Sequence, residues 1–209
     1  LMIGVYDYTV LATYLSLAFG VSGILAAMNS TPFTALLCLM VSGLLDAFDG
    51  RIARTKKNRT EQEKRFGIQI DSLNDVICFG ALPALIGASL GNGEWWLRAC
   101  VLFYILAALI RLAYFNVTEE ERQSTTNEHR RYYLGVPVTT AAFLAPLFWL
   151  IPIRFTLNCA VFYACGLTLL GVLFIAPVRI PKPGLKGILL MTALGIGELY
   201  LMLFGIMPL

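Results

Sequence analysis

Four aspartates in one stretch of the chain have the type and spacing to bind divalent metal ions. Asp46 and Asp49 lie three residues apart at the end of an apolar run, and Asp71 and Asp75 lie four residues apart near the start of the next one. Residues three or four apart share a face of an α-helix, so each pair is predicted to project together. Carboxylate oxygens suit Mg²⁺, Mn²⁺ or Ca²⁺. The pattern predicts a metal site, and two-metal sites serve phosphoryl transfer.

Helix capping and ion pairing compete with metal binding as roles for these carboxylates. Asp71 is near the first turn of its predicted helix, where a negative charge is favourable, and Arg51 and Arg54 could pair with the aspartates. However, each carboxylate inside a bilayer costs about 2.5 to 3.5 kcal/mol on insertion scales, and clustered carboxylates repel one another. Divalent cations offset both costs. Because four carboxylates exceed the usual protein contribution to one Mg²⁺, we predict two bridged ions.

The apolar composition of the chain determines which elements can position the aspartates. Of 209 residues, 58% are hydrophobic and 14% are charged, against about 25% charged in soluble domains. A membrane-crossing helix needs about 20 mostly apolar residues, and the alternating segments of about ten residues that build a membrane barrel are absent. We predict one all-α domain over residues 1–209, a polytopic membrane helical bundle of about seven transmembrane helices (six to eight). The predicted segments are residues 8–29, 31–50, 68–91, 95–117, 136–153, 155–177 and 187–208.

Basic residues are concentrated in alternate connections between these segments. The connection between the second and third segments carries six lysines and arginines from Arg54 to Arg65, and the connections after the fourth and sixth segments carry three each (Arg122, Arg130 and Arg131; Arg179, Lys182 and Lys186). In contrast, "SLGNGE" carries none and "IPIRF" carries only Arg154. By the positive-inside rule the basic connections face the cytoplasm. We therefore expect an integral protein of a prokaryotic plasma membrane, with the aspartates at the cytoplasmic interface.

Small and basic residues beside the aspartates suit an anionic ligand. Gly50 and Ala53 leave space on the helix surface. Such residues more often serve helix packing in membranes, but next to a metal site they also let a phosphate or a flat base approach the backbone. Arg54 offers a guanidinium, which can bind phosphate oxygens bidentately. A nucleotide diphosphate would use all three residues.

The complete pattern, DxxDGxxAR from Asp46 to Arg54 and GxxxDxxxD from Gly67 to Asp75, resembles the signature of the CDP-alcohol phosphatidyltransferase family at all eight fixed positions. The stretches "DSLNDVICFGALPA", "IRLAYFNV" and "YYLGVPVTT" are similar to its phosphatidylserine synthase branch. The family usually has about eight residues between the arginine and the next glycine, whereas this chain has twelve. Because loops tolerate insertions, we expect a longer cytoplasmic loop and an unchanged site.

The resemblance also implies what the motif residues do. The branch transfers the phosphatidyl group of CDP-diacylglycerol to L-serine, giving phosphatidylserine and CMP. A serine hydroxyl needs a positioned base, and the resemblance gives that role to Asp75, with metal binding alone as the alternative. The resemblance implies two bound ions, Mg²⁺ or Mn²⁺, with Ca²⁺ binding without supporting turnover. Their implied ligands are Asp46, Asp49, Asp71 and Asp75. The implied CDP-binding residues are Asp46, Gly50, Ala53, Arg54 and Gly67.

The serine-binding candidates are Arg111 and Asn116. Arg111 lies within the apolar run "LAALIRLAYFNV", where an unpaired charge is costly, so it is predicted to face a polar cavity and to pair with the serine carboxylate. A salt bridge to one of the aspartates is the alternative. Asn116 follows five residues later and is not predicted to share a helix face with Arg111. The expected partners are CDP-diacylglycerol, L-serine and membrane lipids, without nucleic acid, and the resemblance implies a homodimer.

Two further functions remain open at this point. A family member that uses glycerol 3-phosphate or an inositol phosphate should need an extra basic cluster near the metals, and only Arg111, Arg130 and Arg131 are available for it. A cation channel or carrier also has intramembrane carboxylates, but they should be spread along the membrane depth. The carrier hypothesis also leaves the small residues and Arg54 unexplained.

Overall fold

Helices form most of the protein in the computed structural model, which describes residues 4–56, 58–91, 93–125, 132–181 and 185–204. The helices are α1 (Leu11–Met28), α2 (Pro32–Thr55), α3 (Glu61–Asp75), a π-helical segment (Val76–Ala81), α4 (Leu82–Ser89), α5 (Trp95–Thr125), a 3₁₀ turn (Val138–Thr140), α6 (Ala141–Arg154), α7 (Cys159–Ile175) and α8 (Leu185–Phe204). The strands β1 (Tyr132–Leu134) and β2 (Arg179–Pro181) form a short antiparallel ribbon. The predicted all-α class is confirmed.

The length and apolar character of the helices support a membrane bundle. Within the described ranges, four stretches are long and apolar enough to cross a bilayer: Leu11–Met28, Pro32–Gly50, Glu61–Ser89 and Trp95–Arg122. Shorter apolar helices are Val138–Arg154, Cys159–Ile175 and Thr192–Phe204. Together they overlap the seven predicted segments, and the polytopic bundle is confirmed. Leucines on α5 point outward, as expected for a lipid-facing surface, with Leu102 67% and Leu106 56% exposed.

The connection between α2 and α3 differs from the long loop that was expected. The two helices are separated only by residues 56–60. The Thr60 hydroxyl accepts a hydrogen bond from the Glu63 backbone N–H at 3.1 Å, and the Glu63 carboxylate accepts one from the Thr60 N–H at 2.8 Å. This capping box satisfies N–H groups that have no partner within the helix and starts α3 early. The expectation of a longer loop is therefore wrong, because the additional residues extend a helix.

Close helix packing positions α1 and α2 against the rest of the bundle. A Cβ at Gly20 of α1 would lie 2.4 Å from the Cys78 sulfur in the π segment, and a Cβ at Gly43 of α2 would lie 2.4 Å from the Cβ of Ala142 in α6. Such distances require glycine. Small residues allow membrane helices to approach closely and maximise van der Waals contact, so these glycines place the backbones of α1 and α2 near the bundle centre.

A π-helical segment directly follows Asp75. Its wider hydrogen-bonding pattern disturbs the regular α-helical ladder, and such segments are frequent at functional sites. The buried Tyr104 of α5 donates a hydrogen bond to the Phe79 backbone carbonyl at 2.6 Å. This contact supplies a partner for a main-chain oxygen inside the segment, as burial requires.

The β1–β2 ribbon joins the connection after α5 to the connection after α7. Tyr133 pairs with Ile180, and the Gly135 N–H donates to the Val178 carbonyl at 2.9 Å. Gly135 has a φ of +75°, and a Cβ there would lie 2.4 Å from the Phe174 carbonyl oxygen, so this turn requires glycine. The two connections therefore lie at one end of the bundle, which agrees with the predicted sidedness of the basic connections.

Candidate active site

The end of α2 and the end of α3 bring the predicted aspartates together. Asp46, Asp49 and Asp71 each place one carboxylate oxygen within 4.8 Å of the others. Asp75 is more deeply buried, with 9% of its surface exposed, and lies within hydrogen-bonding reach of Asp46. The Thr13 hydroxyl of α1 donates to Asp49 Oδ2 at 3.2 Å. We call the four aspartates the carboxylate cluster.

The carboxylate cluster fits a divalent cation. Within the described part of the chain, the buried Oδ1 atoms of Asp71 and Asp75 have no hydrogen-bond partner. Buried polar atoms are nearly always hydrogen-bonded, so each exception needs a physical reason. Burying carboxylates next to one another also carries a high electrostatic cost. A hard cation with oxygen ligands removes both problems, so the cluster can bind metal.

A cavity of about 400 Å³ opens beside the carboxylate cluster, between α1, α2 and α3. A Cβ at Gly50 would have no described atom within 4 Å, so the surface of α2 is open there. The size of the cavity suits a small ligand. The motif residues that line it are Asp49, Gly50, Ala53, Gly67 and Asp71.

Some predicted residues fall outside this description. The backbone of Arg54 belongs to α2, but its side chain lies outside the described part of the structure, as does that of Arg51. Arg130 and Arg131 lie outside the described residues. The nucleotide-binding role of Arg54 therefore stays a prediction.

Sequence reasoning missed the basic residues that line the cavity, Arg59 and Lys64. They belong to the stretch that was interpreted as a cytoplasmic loop. Arg59 folds back over Gly67, with Nη2 only 2.7 Å from the place where a Cβ would lie, and Nη2 also donates to the Glu63 carbonyl at 3.1 Å. No pattern in the sequence marks this contact, because it depends on where α3 begins.

The serine-binding candidates occupy different surroundings. Arg111 is buried in α5, with 8% of its surface exposed, and its guanidinium carbon lies 4.9 Å from the centre of the Phe115 ring. Asn116 donates to the Ser72 Oγ at 2.9 Å, and the Ser72 hydroxyl lies 3.1 Å from Asn116 Oδ1. Since Ser72 follows Asp71 in α3, this pair holds α5 against the part of α3 that carries the aspartates. Ser72 was missed because nothing in the sequence distinguishes it from other polar residues at a helix surface.

A second buried polar cluster adjoins the first. The Ser16 and Ser42 hydroxyls are 2.8 Å apart, the Asn74 amide donates to Ser16 Oγ at 3.2 Å, and the Cys78 thiol donates to Asn74 Oδ1 at 3.2 Å. We call these four residues the hydroxyl–amide cluster. It joins α1 and α2 to the α3–π junction and so fixes the helices that carry the aspartates.

Comparison with known proteins identifies the family. The family model described as CDP-alcohol phosphatidyltransferase matches residues 9–196, which is most of the chain. The chain belongs to the CDP-alcohol phosphatidyltransferase family. The recognition made from the motif is confirmed, and family membership makes the protein a phosphatidyltransferase enzyme.

Curated relatives carry one recurring name, CDP-diacylglycerol–serine O-phosphatidyltransferase. The relative from Helicobacter pylori is 32% identical over 183 residues, which cover 85% of this chain and 73% of that protein. The relative from Mycobacterium bovis is 30% identical over 133 residues, covering 62% of this chain and 44% of that protein. The relative from Saccharomyces cerevisiae is 30% identical over 142 residues, covering 62% and 50%. The similarity to this branch therefore extends across bacteria and yeast.

Proposed function

We propose that this phosphatidyltransferase transfers the phosphatidyl group of CDP-diacylglycerol to L-serine, releasing CMP. The observation that carries the proposal is the carboxylate cluster, in which the Oδ1 atoms of Asp71 and Asp75 have no partner among the described residues, beside a cavity lined by motif residues. The names of the relatives support the choice of substrates. The diphosphate of a membrane lipid lies at the interface, and the carboxylate cluster would lie there as well.

The motif residues provide a place for each part of the activated lipid. The nucleotide would occupy the cavity that Gly50, Ala53 and Gly67 line, and the positive charge of Arg54, which stays a prediction from the motif, would pair with its phosphates. The acyl chains need no enclosed pocket, because they stay in the bilayer. Asp46, Asp49, Asp71 and Asp75 would hold two ions, Mg²⁺ or Mn²⁺, with Ca²⁺ binding without supporting turnover. When bound, such ions neutralise the diphosphate and stabilise charge on the departing CMP.

Asp75 is our candidate for the base. It is the most deeply buried aspartate of the carboxylate cluster, and its Oδ1 has no partner within the described residues. It would take the proton of the serine hydroxyl while the serine oxygen forms a bond to phosphorus and the bond to CMP breaks. Arg111 and Asn116 are the proposed serine-binding residues, and Arg111 would pair with the serine carboxylate.

One observation favours a second acceptor class. Arg59 and Lys64 line the cavity, so more positive charge lies near the aspartates than the sequence indicated. Glycerol 3-phosphate or an inositol phosphate would bring a phosphate that such cations bind. This alternative keeps the family chemistry and changes only the alcohol.

An acceptor screen tests the proposal. Purified protein with CDP-diacylglycerol and Mg²⁺ or Mn²⁺ is supplied in turn with L-serine, glycerol 3-phosphate and inositol 1-phosphate, and CMP release is measured. We expect CMP only with L-serine, and chelation with EDTA should stop its release. If CMP is released with glycerol 3-phosphate but not with L-serine, the acceptor is glycerol 3-phosphate and not serine. Full activity in the presence of the chelator would remove the metal assignment.

The setting of the enzyme belongs to the same proposal. We propose that residues 1–209 act as a single membrane-embedded domain in a homodimer in a prokaryotic plasma membrane, with the site facing the cytoplasm. The basic content of the connection after α2 supports the orientation. Labelling of a single introduced cysteine at exposed Asn58 by a membrane-impermeant reagent should occur in inverted vesicles and not in intact cells.

A further inference from the structure

We propose that Arg59 binds the nucleoside part of the CDP-activated lipid. This inference rests on the proposed function, since it assumes that the cavity holds the nucleotide. Arg59 lies outside the family motif, in the connection between α2 and α3, yet its side chain lines the same cavity as the motif residues.

The side chain of Arg59 is held in place and still has a free donor. Nη2 donates to the Glu63 backbone carbonyl at 3.1 Å, which fixes the guanidinium against the first turns of α3. The Nε atom is buried and has no hydrogen-bond partner among the residues that the structure describes. A guanidinium presents five N–H donors in a fixed plane, and a buried donor without an acceptor is unfavourable. An acceptor supplied by a ligand would satisfy it.

The position of Arg59 along α3 indicates which part of the nucleotide it meets. Its guanidinium covers Gly67, which precedes Asp71 by four residues and therefore lies about 6 Å away along the helix axis. The charged diphosphate belongs beside the carboxylate cluster and its ions. The ribose and the base extend from the diphosphate over a distance similar to that between Asp71 and Gly67. Arg59 therefore faces the nucleoside. The oxygens of the ribose ring and its hydroxyls, and a nitrogen of the base ring, can accept hydrogen bonds from it.

Gly67 and Arg59 share one space. A Cβ at Gly67 would lie 2.7 Å from Nη2 of Arg59, so any side chain there would displace the guanidinium. The glycine thus provides room for the arginine, which in turn faces the cavity. Replacing Gly67 should weaken nucleotide binding partly by moving Arg59, which makes the two substitutions non-additive.

The test compares two variants of Arg59, Arg59→Gln and Arg59→Lys, with the control Arg98→Gln. Arg98 is an exposed arginine near the start of α5, at the opposite end of the bundle. The probes are CMP and cytidine, the latter at millimolar concentration, measured by equilibrium binding to the purified protein. For both Arg59 variants we expect an affinity loss of about tenfold for each probe, the size of one lost charge-assisted hydrogen bond. The KM for CDP-diacylglycerol should rise by a similar factor, with kcat and the KM for L-serine nearly unchanged. Arg98→Gln should behave as the wild type.

Unchanged CMP affinity in the Arg59 variants overturns the proposal. Loss of CMP affinity with unchanged cytidine affinity also overturns it, because Arg59 would then bind phosphate. The Gly67→Ala change should cost much less in the Arg59→Gln background than in the wild type, and full additivity contradicts the shared space. Elution volume and thermal unfolding in detergent exclude misfolded variants. Because binding is measured without turnover, failure of the wild type to use L-serine would reject the proposed function while leaving this test intact.

Discussion

Two buried polar clusters lie next to each other in the same helices. They differ in whether their buried polar atoms find hydrogen-bond partners within the cluster. In the hydroxyl–amide cluster, Ser16, Ser42, Asn74 and Cys78 hydrogen-bond one another at 2.8 to 3.2 Å. In the carboxylate cluster, two buried oxygens have no partner within the described ranges. A buried network that satisfies itself stabilises one arrangement of helices, whereas one that does not is incomplete without a ligand. The first cluster is structural, and the second is suited to chemistry.

The clusters meet at two consecutive residues. Asn74 and Asp75 are neighbours in the chain, but their side chains leave α3 about 100° apart around the helix axis. Asn74 points to Ser16 of α1, and Asp75 points to Asp46 of α2. The hydrogen bonds of the hydroxyl–amide cluster therefore fix the rotation of α3, and this rotation determines where Asp75 points.

The largest effect should come from breaking the carboxylate cluster. Asp49→Asn keeps the shape of the side chain and its acceptor for Thr13 but removes a charge that the proposed metal site requires. We expect CMP release to fall by about a thousandfold, the scale on which a key electrostatic contact in an active site acts, with thermal unfolding in detergent nearly unchanged. Glu120→Gln, an exposed change on α5, is the matched control. Retention of most activity by Asp49→Asn would remove the distinction between the two clusters.

A smaller effect should follow from breaking the hydroxyl–amide cluster. Asn74→Leu leaves the Ser16 hydroxyl and the Cys78 thiol each without one partner. We expect the free energy of unfolding to fall by about 1 to 3 kcal/mol, as for other buried groups that lose a hydrogen bond. Thermal unfolding measures this loss. Activity well below the unfolding temperature should fall much less than in Asp49→Asn, and an equal loss of activity with unchanged stability would give Asn74 a direct part in catalysis.

The smallest effect should come from charges that are paired but remain partly exposed, namely Lys56 and its two carboxylate partners. Lys56 contacts Asp7 at 2.7 Å and Glu63 at 2.8 Å, and hydrogen bonds from Lys56 and Thr9 lower the pKa of Asp7 to about 2. Because the pKa of the folded state lies below the unfolded value of about 4, this stabilisation is present above pH 4 and is lost as the pH falls through 2.

Replacing this lysine checks the size of that contribution. Lys56→Met should lower the midpoint of thermal unfolding at pH 7 only slightly, because partly exposed ion pairs contribute little to stability. The difference from the wild type in thermal unfolding should shrink as the pH is lowered from 7 to 3. A difference that grows with acid would contradict the sign of the Asp7 shift.

The sequence predicted the features that depend on residue type and short-range spacing. Apolar runs predicted the helices, and spacings of three and four predicted that the aspartates would converge. It did not predict the early start of α3 or the position of Arg59 over Gly67, because both depend on a capping box and on tertiary packing. The Ser72–Asn116 contact joins residues 44 positions apart, and no local pattern encodes such a pair.

The π-helical segment at Val76–Ala81 has a consequence for tolerated changes in chain length. A single extra residue distinguishes a π turn from an α turn, and each residue of an α-helix turns the chain by about 100°. Deleting one residue there would let the segment close into a regular α-helix, while the helices on either side keep the faces that they present now. A deletion between Asp71 and Asp75 would instead change the relative orientation of these two side chains by about 100°, so the π-helical segment is where the chain can be shortened by one position with the least disturbance of the carboxylates.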